Sequence, residues 1–156
     1  MKESIFNVLA FKIPGSIILD LFAGSGSLGI EAISRGAKMV YFVDDSLKSV
    51  NLIKDNIAVL KNLEKNYKIL KSDVIKFIKS NQELCPDIIF IDPPYKIAPA
   101  VMEELFAAIK NTGIAVKKTE IVYEYFFKRD ISNEIYGFKI KKNSFFGDKI
   151  VSYISI

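Results

Sequence analysis

Two short stretches hold most of the chemistry that this chain can do. Asp20-Leu21-Phe22-Ala23-Gly24-Ser25-Gly26-Ser27-Leu28-Gly29 places a glycine-rich turn between an apolar run and a helical pattern. Asp92-Pro93-Pro94-Tyr95 ends a later apolar run with a carboxylate, two prolines and an aromatic ring. The spacing Gly24-x-Gly26-x-x-Gly29 suits backbone brought close to a ligand at a helix N-terminus, where a β-carbon would collide. Asp44, 18 residues beyond Gly26, falls at the end of the next predicted strand, placed to accept hydrogen bonds from ribose hydroxyls. NAD, FAD and S-adenosylmethionine all satisfy this much. Asp20 narrows the choice, because a carboxylate just before the glycines repels a pyrophosphate and suits a sulfonium or an ammonium. Asp73 has two readings, an acceptor for an adenine amino group or the N-cap of a helix starting at Val74. Asp45 is expected to cap the helix beginning near Ser46.

The second stretch suits a planar amine. Two prolines fix the chain after the strand and remove two backbone donors. An exocyclic amine is a poor nucleophile because its lone pair is delocalised into the ring. An acceptor pair, the Asp92 carboxylate and the Pro93 carbonyl, holds both amine hydrogens and polarises the nitrogen as it turns tetrahedral. Asp92 is also placed to take up the proton. Tyr95 offers a face on which a base stacks, worth roughly 1–3 kcal/mol in single-strand binders. Glu124, at a strand end, is a further candidate for lining the acceptor pocket. Together the two stretches read as methyl transfer from S-adenosylmethionine to the exocyclic nitrogen of a base.

The elements that must position these residues alternate along the chain, as in an α/β domain with a mainly parallel sheet. A short helix is predicted over Lys2–Ala10, a strand over Ile17–Leu21, and a helix from the glycine turn to about Ser34. A strand at Met39–Val43 precedes a helix with Ser46 as candidate N-cap, running to about Leu63 with Val50, Ile53, Ile57 and Leu60 on one face. Tyr67–Leu70 and Ile88–Ile91 read as strands, Val74–Lys79 and Pro99–Lys110 as helices, Glu120–Phe126 as the next strand. Gly137–Lys141 and Ile150–Ile154 are expected to form a terminal antiparallel pair. Tyr41, Tyr123 and the Phe126-Phe127 and Phe145-Phe146 pairs read as core or sheet residues. Ligands of open α/β sheets gather at the carboxyl ends of the strands, where the two stretches fall.

Composition removes rival chemistries. Histidine is absent from the 156 residues and cysteine occurs once, as Cys85. That excludes an internal disulfide, a cysteine-rich zinc site and every arrangement needing a histidine base, and Cys85 is read as structural. No apolar run reaches the ~20 residues of a membrane span, and Met1-Lys2-Glu3-Ser4 is not a secretory signal. A single cytoplasmic domain over residues 1–156, monomeric and without a bound metal, is the expectation. The net charge of +4 permits an anionic partner.

At this point the residues resemble a known family. Lys2-Glu3-Ser4-Ile5-Phe6-Asn7, the glycine turn with Ile30-Glu31-Ala32-Ile33-Ser34-Arg35-Gly36-Ala37, and Asp92–Tyr95 are similar to the RsmD-type enzymes. Those bacterial enzymes methylate the N2 of one guanine in small-subunit ribosomal RNA. Phe146-Gly147-Asp148-Lys149-Ile150 resembles the family's closing hairpin, which usually has Tyr-Gly and a Thr near Lys149. The resemblance implies a class I methyltransferase fold, S-adenosylmethionine as cofactor, and small-subunit ribosomal RNA or the assembled subunit as partner. It implies a cofactor site of Asp20, Phe22, Gly24, Ser25, Gly26, Asp44 and Asp73, with Asp44 standing where Glu is more common, and an acceptor site of Asp92, Pro93, Pro94 and Tyr95. The family's N-terminal basic hairpin and Arg-Pro-Thr loop have no counterpart ahead of Lys2-Glu3 here.

Two other readings stay open on the sequence. Adenine N6 in DNA, or a side-chain amide, poses the same delocalised-amine problem, although Asn is commoner than Asp at the first position for those targets. A non-catalytic RNA- or cofactor-binding remnant is the other, with Lys128, Arg129, Lys139, Lys141 and Lys142 as its basic surface. A dehydrogenase leaves Asp92–Tyr95 without a task.

Overall fold

The structure, a computed structural model, describes residues 1–60, 64–126 and 133–156. Helix α1 (Lys2–Val8) precedes an alternating series: β1 (Ile17–Leu21), α2 (Ser27–Ser34), β2 (Met39–Asp44), α3 (Leu47–Ile57), β3 (Tyr67–Lys71), α4 (Val74–Ser80), β4 (Ile88–Ile91), α5 (Pro99–Thr112) and β5 (Glu120–Phe126). Strands β6 (Glu134–Ile135), β7 (Phe138–Phe146) and β8 (Lys149–Ser155) follow. The eight strands lie in the order β3-β2-β1-β4-β5-β8-β7-β6. β1 to β5 run parallel, and β8 inserts antiparallel between β5 and β7. The architecture is Rossmann-like α/β, a mostly parallel sheet with a C-terminal antiparallel hairpin.

Helices cover both faces. On one, Ile5 and Phe6 of α1, Ala32 and Ile33 of α2, and Ile53 of α3 pack on Ile18, Phe42 and Phe90. On the other, Phe77 of α4 and Met102, Phe106 and Ile109 of α5 pack on Leu19, Ile89, Ile121 and Tyr123. Residues of β4 are buried on both sides, which is why Ile88–Ile91 reads as a continuous apolar run rather than an alternating one. No described helix is long and apolar enough to cross a membrane.

This topology builds a crevice. The chain leaves β1 toward β2 on one side and returns to β4 on the other, so the carboxyl ends of β1 and β4 open where the strand order reverses. Register then aligns side chains across it. Asp20 lies opposite Phe42 on β2 and Phe90 on β4, and Ile91 lies opposite Tyr123 on β5. One step further, Asp92 and Glu124 are neighbours by the same register, and alternation puts them on the face of Phe90 and Val122. On β8, Lys149 pairs with Phe126 and Val151 with Glu124, which brings Lys149 diagonally beside Glu124.

Several local expectations are corrected. The helix cap is Ser46, not Asp45: the Ser46 hydroxyl accepts from the Ser49 N–H at 3.3 Å. The serine wins because the Ser46 N–H is itself held by Asp44, at 3.0 Å, which turns its side chain into capping position. Helix α3 stops at Ile57, earlier than expected, and the predicted end at Leu63 lies outside the described residues. The antiparallel pair extends beyond Lys141 to Phe146, which agrees with the sheet reading of Phe145 and Phe146, and β6 has no predicted counterpart. Lys128 and Arg129 also lie outside the described residues. Of the other proposed basic residues, Lys141 pairs with Glu120 at 3.8 Å and Lys142 sits over the Tyr153 ring.

Candidate active site

The glycine turn is shaped by contacts that forbid side chains. A β-carbon at Gly29 would meet Phe42 at 2.8 Å and Val40 at 2.9 Å, so the first turn of α2 lies directly on β2. Gly26 starts α2 in a left-handed conformation under Ile53 and Phe42. Phe22 is left-handed as well (φ 58°), a geometry that costs a non-glycine residue about 1–2 kcal/mol. It folds the chain away from β1 and toward the turn.

Two carboxylates fix this turn. Asp20, 2% exposed, accepts the Gly29 N–H at 3.1 Å, near the start of α2. Asp44 accepts the Gly24 N–H at 2.9 Å and the Ser46 N–H at 3.0 Å, tying the end of β2 to the glycines and to α3. Each Asp44 oxygen keeps a lone pair for a ligand. Burial pushes the Asp20 carboxyl up to about 8; the Gly29 N–H pulls against this, and the charges of Asp92 and Asp44 add to it.

Two cavities meet here. The first, about 490 Å³, is lined by Asp20, Phe22, Gly24, Ser25, Asp44 and Asp45 among others, and by Asp92, Pro93 and Pro94. Among the described residues, four aspartates and no lysine or arginine face it. That donor set fits an adenosyl ligand bearing positive charge and disfavours a pyrophosphate. The second, about 470 Å³, shares Asp92, Pro93 and Pro94 as its wall. It continues along Tyr95, Tyr123, Glu124, Tyr125, Phe126, Tyr136 and Lys149. Planar aromatic groups around carboxylates suit a flat molecule with amine hydrogens.

Charge in the second cavity is ordered. Lys149 donates to Glu124 at 2.9 Å and lies over the Phe126 ring at 5.1 Å. That hydrogen bond holds the Lys149 ammonium above its ordinary range. Burial raises the Asp92 carboxyl to about 7; the Glu124 charge and a hydrogen bond with it act in the same sense, and Lys149 opposes them. The Tyr95 ring, 71% exposed, stands edge-on to Phe126 with centroids 4.5 Å apart. Tyr123 and Tyr125 stack in parallel at 4.6 Å, and burial raises the Tyr123 phenol.

The structure brings together most of the residues singled out in the sequence. Asp20, Phe22, Gly24, Ser25 and Asp44 line the first cavity, Tyr95 the second, and Asp92, Pro93 and Pro94 both. Gly26 lies beneath the turn rather than on its surface. Asp73 is not brought to the cavity: it caps α4, accepting the Lys76 N–H at 3.0 Å. Glu124 does line the second cavity. Sequence reading missed Tyr125, Tyr136 and Lys149 as site residues and left Tyr123 and Phe126 in the core. For Tyr123, Tyr125 and Phe126 the one signal is the aromatic density of the strand Glu120–Phe126; Tyr136 and Lys149 have none.

Comparison with known proteins gives the family and the fold. The family described as "Conserved hypothetical protein 95" matches residues 1–155. The chain belongs to this RsmD-type family. It is 35% identical to the "Ribosomal RNA small subunit methyltransferase D" of Buchnera aphidicola, over 86% of this chain and 75% of that one. The Haemophilus influenzae protein of the same name is 40% identical over 61% of this chain and 50% of its own length. The chain spans about half the length of several such curated relatives. Among solved structures, "Putative methyltransferase yhhF from Escherichia coli" superposes with a TM-score of 0.85 at 25% identity, over 99% of this chain and 82% of that one. The fold is that of the class I methyltransferases.

Proposed function

We propose that this chain transfers a methyl group from S-adenosylmethionine to the exocyclic N2 of a guanine in small-subunit ribosomal RNA. The observation that carries the reading is the shared wall: Asp92, Pro93 and Pro94 face both an acidic cavity and an aromatic one. A donor and an acceptor bound on the two sides meet at those residues. The names of the relatives favour ribosomal RNA as the macromolecule carrying the acceptor.

S-adenosylmethionine, when bound, supplies the electrophilic methyl group. Gly24 and Ser25 would let its adenosyl part approach the backbone, Asp44 would accept from the ribose hydroxyls, and the Asp20 and Asp92 carboxyl groups would face its cationic end, whose charge favours their ionised forms. On the acceptor side, Tyr95 gives the base a ring to stack on. The Asp92 carboxylate and the Pro93 carbonyl accept the amine hydrogens. This holds the nitrogen lone pair away from the ring system and toward the first cavity. Asp92, already raised to about 7, takes the proton that the amine sheds. Water then carries it away.

The test is methyl transfer from labelled S-adenosylmethionine to small ribosomal subunits lacking the modification, and to the free RNA, with nucleoside analysis of the product. N2-methylguanosine is the expected product. A different methylated nucleoside, or cofactor binding with no transfer to either substrate, overturns the reading.

A further inference from the structure

We propose that Asp92, Glu124 and Lys149 form an ordered acceptor–acceptor–donor row that reads the Watson–Crick edge of guanine, with Glu124 as the residue that rejects adenine and cytosine. This rests on the methyl transfer proposed above and assigns its base selectivity to side chains.

The order of the row comes from the order of the strands. Asp92 follows β4, Glu124 is on β5 and Lys149 begins β8, and β4-β5-β8 are consecutive in the sheet. Glu124 is therefore in the middle, next to Asp92 by the strand register on one side and accepting from Lys149 at 2.9 Å on the other. All three line the second cavity, and Glu124 is 7% exposed.

Guanine presents, in sequence along one edge, the N2 amine, the N1–H and the O6 carbonyl. With N2 at Asp92, the N1–H meets the Glu124 carboxylate and O6 meets the Lys149 ammonium, so each group finds its complement. Adenine placed with its amine at Asp92 turns the N1 lone pair toward Glu124. Cytosine turns its N3 lone pair to the same point. Both therefore fail at the middle position, where a buried anion faces a lone pair with no water to intervene. A site built to receive a donor rejects an analogue lacking it far more strongly than an apolar pocket does. The Lys149–Glu124 ion pair, at 2.9 Å, leaves the Glu124 carboxylate facing the cavity as an acceptor.

A purely structural account gives Glu124 and Lys149 only the task of clasping β5 to β8. The two accounts separate on selectivity. The experiment measures kcat/KM of the wild-type protein, E124Q and K149M on small ribosomal subunits carrying either guanine or adenine at the nucleotide that the wild-type protein methylates. Glutamine can still accept from Lys149 while offering an N–H to a lone pair. E124Q is expected to lose about 10- to 100-fold on guanine and to gain measurable N6 transfer to adenine. K149M, which removes the ammonium that would meet O6, is expected to lose about 10-fold on guanine. An unchanged guanine-to-adenine ratio in E124Q, with both rates reduced in step, overturns the row while the methyl transfer stands. Absence of guanine methylation by the wild-type protein overturns the underlying reaction, and the row with it.

Discussion

Asp20 is buried at the end of β1 with one oxygen 3.1 Å from the Gly29 N–H, so a carboxyl group shares the interior with the first turn of α2. Burial raises that carboxyl from 3.8 to about 8. The folded chain therefore keeps a proton between those values that the unfolded chain releases. Stability falls as pH rises through this window, by up to about 1.4 kcal/mol per pH unit for one proton. Asp20→Asn keeps an acceptor for the Gly29 N–H and removes the titration. Its Tm should exceed that of the wild type by several degrees near pH 8, with the gap closing toward pH 4. Thermal melts across that range decide it; a wild-type advantage near pH 8 would mean the charge is stabilised in the fold.

The same substitution should weaken a cationic cofactor, since Asp20 is the deepest of the four aspartates in its cavity. Stability gained at the expense of binding is the pattern expected where a buried charge is kept for function. Calorimetric titration of S-adenosylmethionine into Asp20→Asn is expected to show about a 10-fold or greater loss, the scale of a charge-assisted contact.

Burial and the neighbouring Glu124 charge raise the Asp92 carboxyl to about 7. Facing it are Glu124 of β5, Lys149 of β8 and Asp20 of β1. Its pKa of about 7 means that the ionised form, the one able to accept amine hydrogens, fills only as pH rises through neutrality. The rate constant kcat/KM should climb about 10-fold per unit below pH 7 and level off above it. Asp92→Asn should lose roughly 100-fold or more in kcat and the rising limb together. A mutant profile still rising through pH 7 would assign the titration to another group.

Much of this site was legible in the sequence because its chemistry is local. The glycine turn and Asp92–Tyr95 are short runs in which neighbouring residues share one task, and hydrophobic periodicity places each at a strand end. Asp73 shows the limit of local reasoning: a cap and a ligand have the same sequence signature, and the contact the structure shows is the cap, to the Lys76 N–H. Glu124 and Lys149 show the opposite limit. Their pairing needs β8 to insert antiparallel beside β5, a relation between distant segments that periodicity does not encode. Tyr136 reaches the cavity from the turn between β6 and β7, for which the chain offers no local sign.

Gly29 and Gly24 should fail differently when replaced by alanine. At Gly29 a new methyl meets Phe42 and Val40 inside 3 Å, and those side chains are packed between α2 and the sheet. Overpacking of this kind costs about 1–3 kcal/mol, and relief requires α2 to move away from β2. At Gly24 the methyl makes only an ordinary contact, 3.9 Å from the Phe22 carbonyl oxygen, but the backbone is left-handed (φ 58°), which costs about 1–2 kcal/mol without displacing α2. Denaturant melts should show both losses. Only Gly29→Ala should shift the near-ultraviolet signal of the aromatic core, because only there does Phe42 have to move.

Tyr95 separates binding from folding. Its ring is 71% exposed and touches Phe126 only edge-on, so Tyr95→Ala should change stability by no more than about 0.5 kcal/mol. The same ring borders the acceptor cavity beside Pro94, where a base can stack on it. Removing it should raise KM for the RNA substrate by roughly 5- to 150-fold, the range of 1–3 kcal/mol for one stacked base, with kcat reduced less. Tyr95→Phe retains the face and should stay within about 2-fold of the wild type, because stacking does not use the hydroxyl. Steady-state kinetics on all three proteins, with melting curves alongside, test the assignment. Equal damage from Phe and Ala would place the function in the phenol, and an unaltered KM in Tyr95→Ala would remove the base from this part of the cavity.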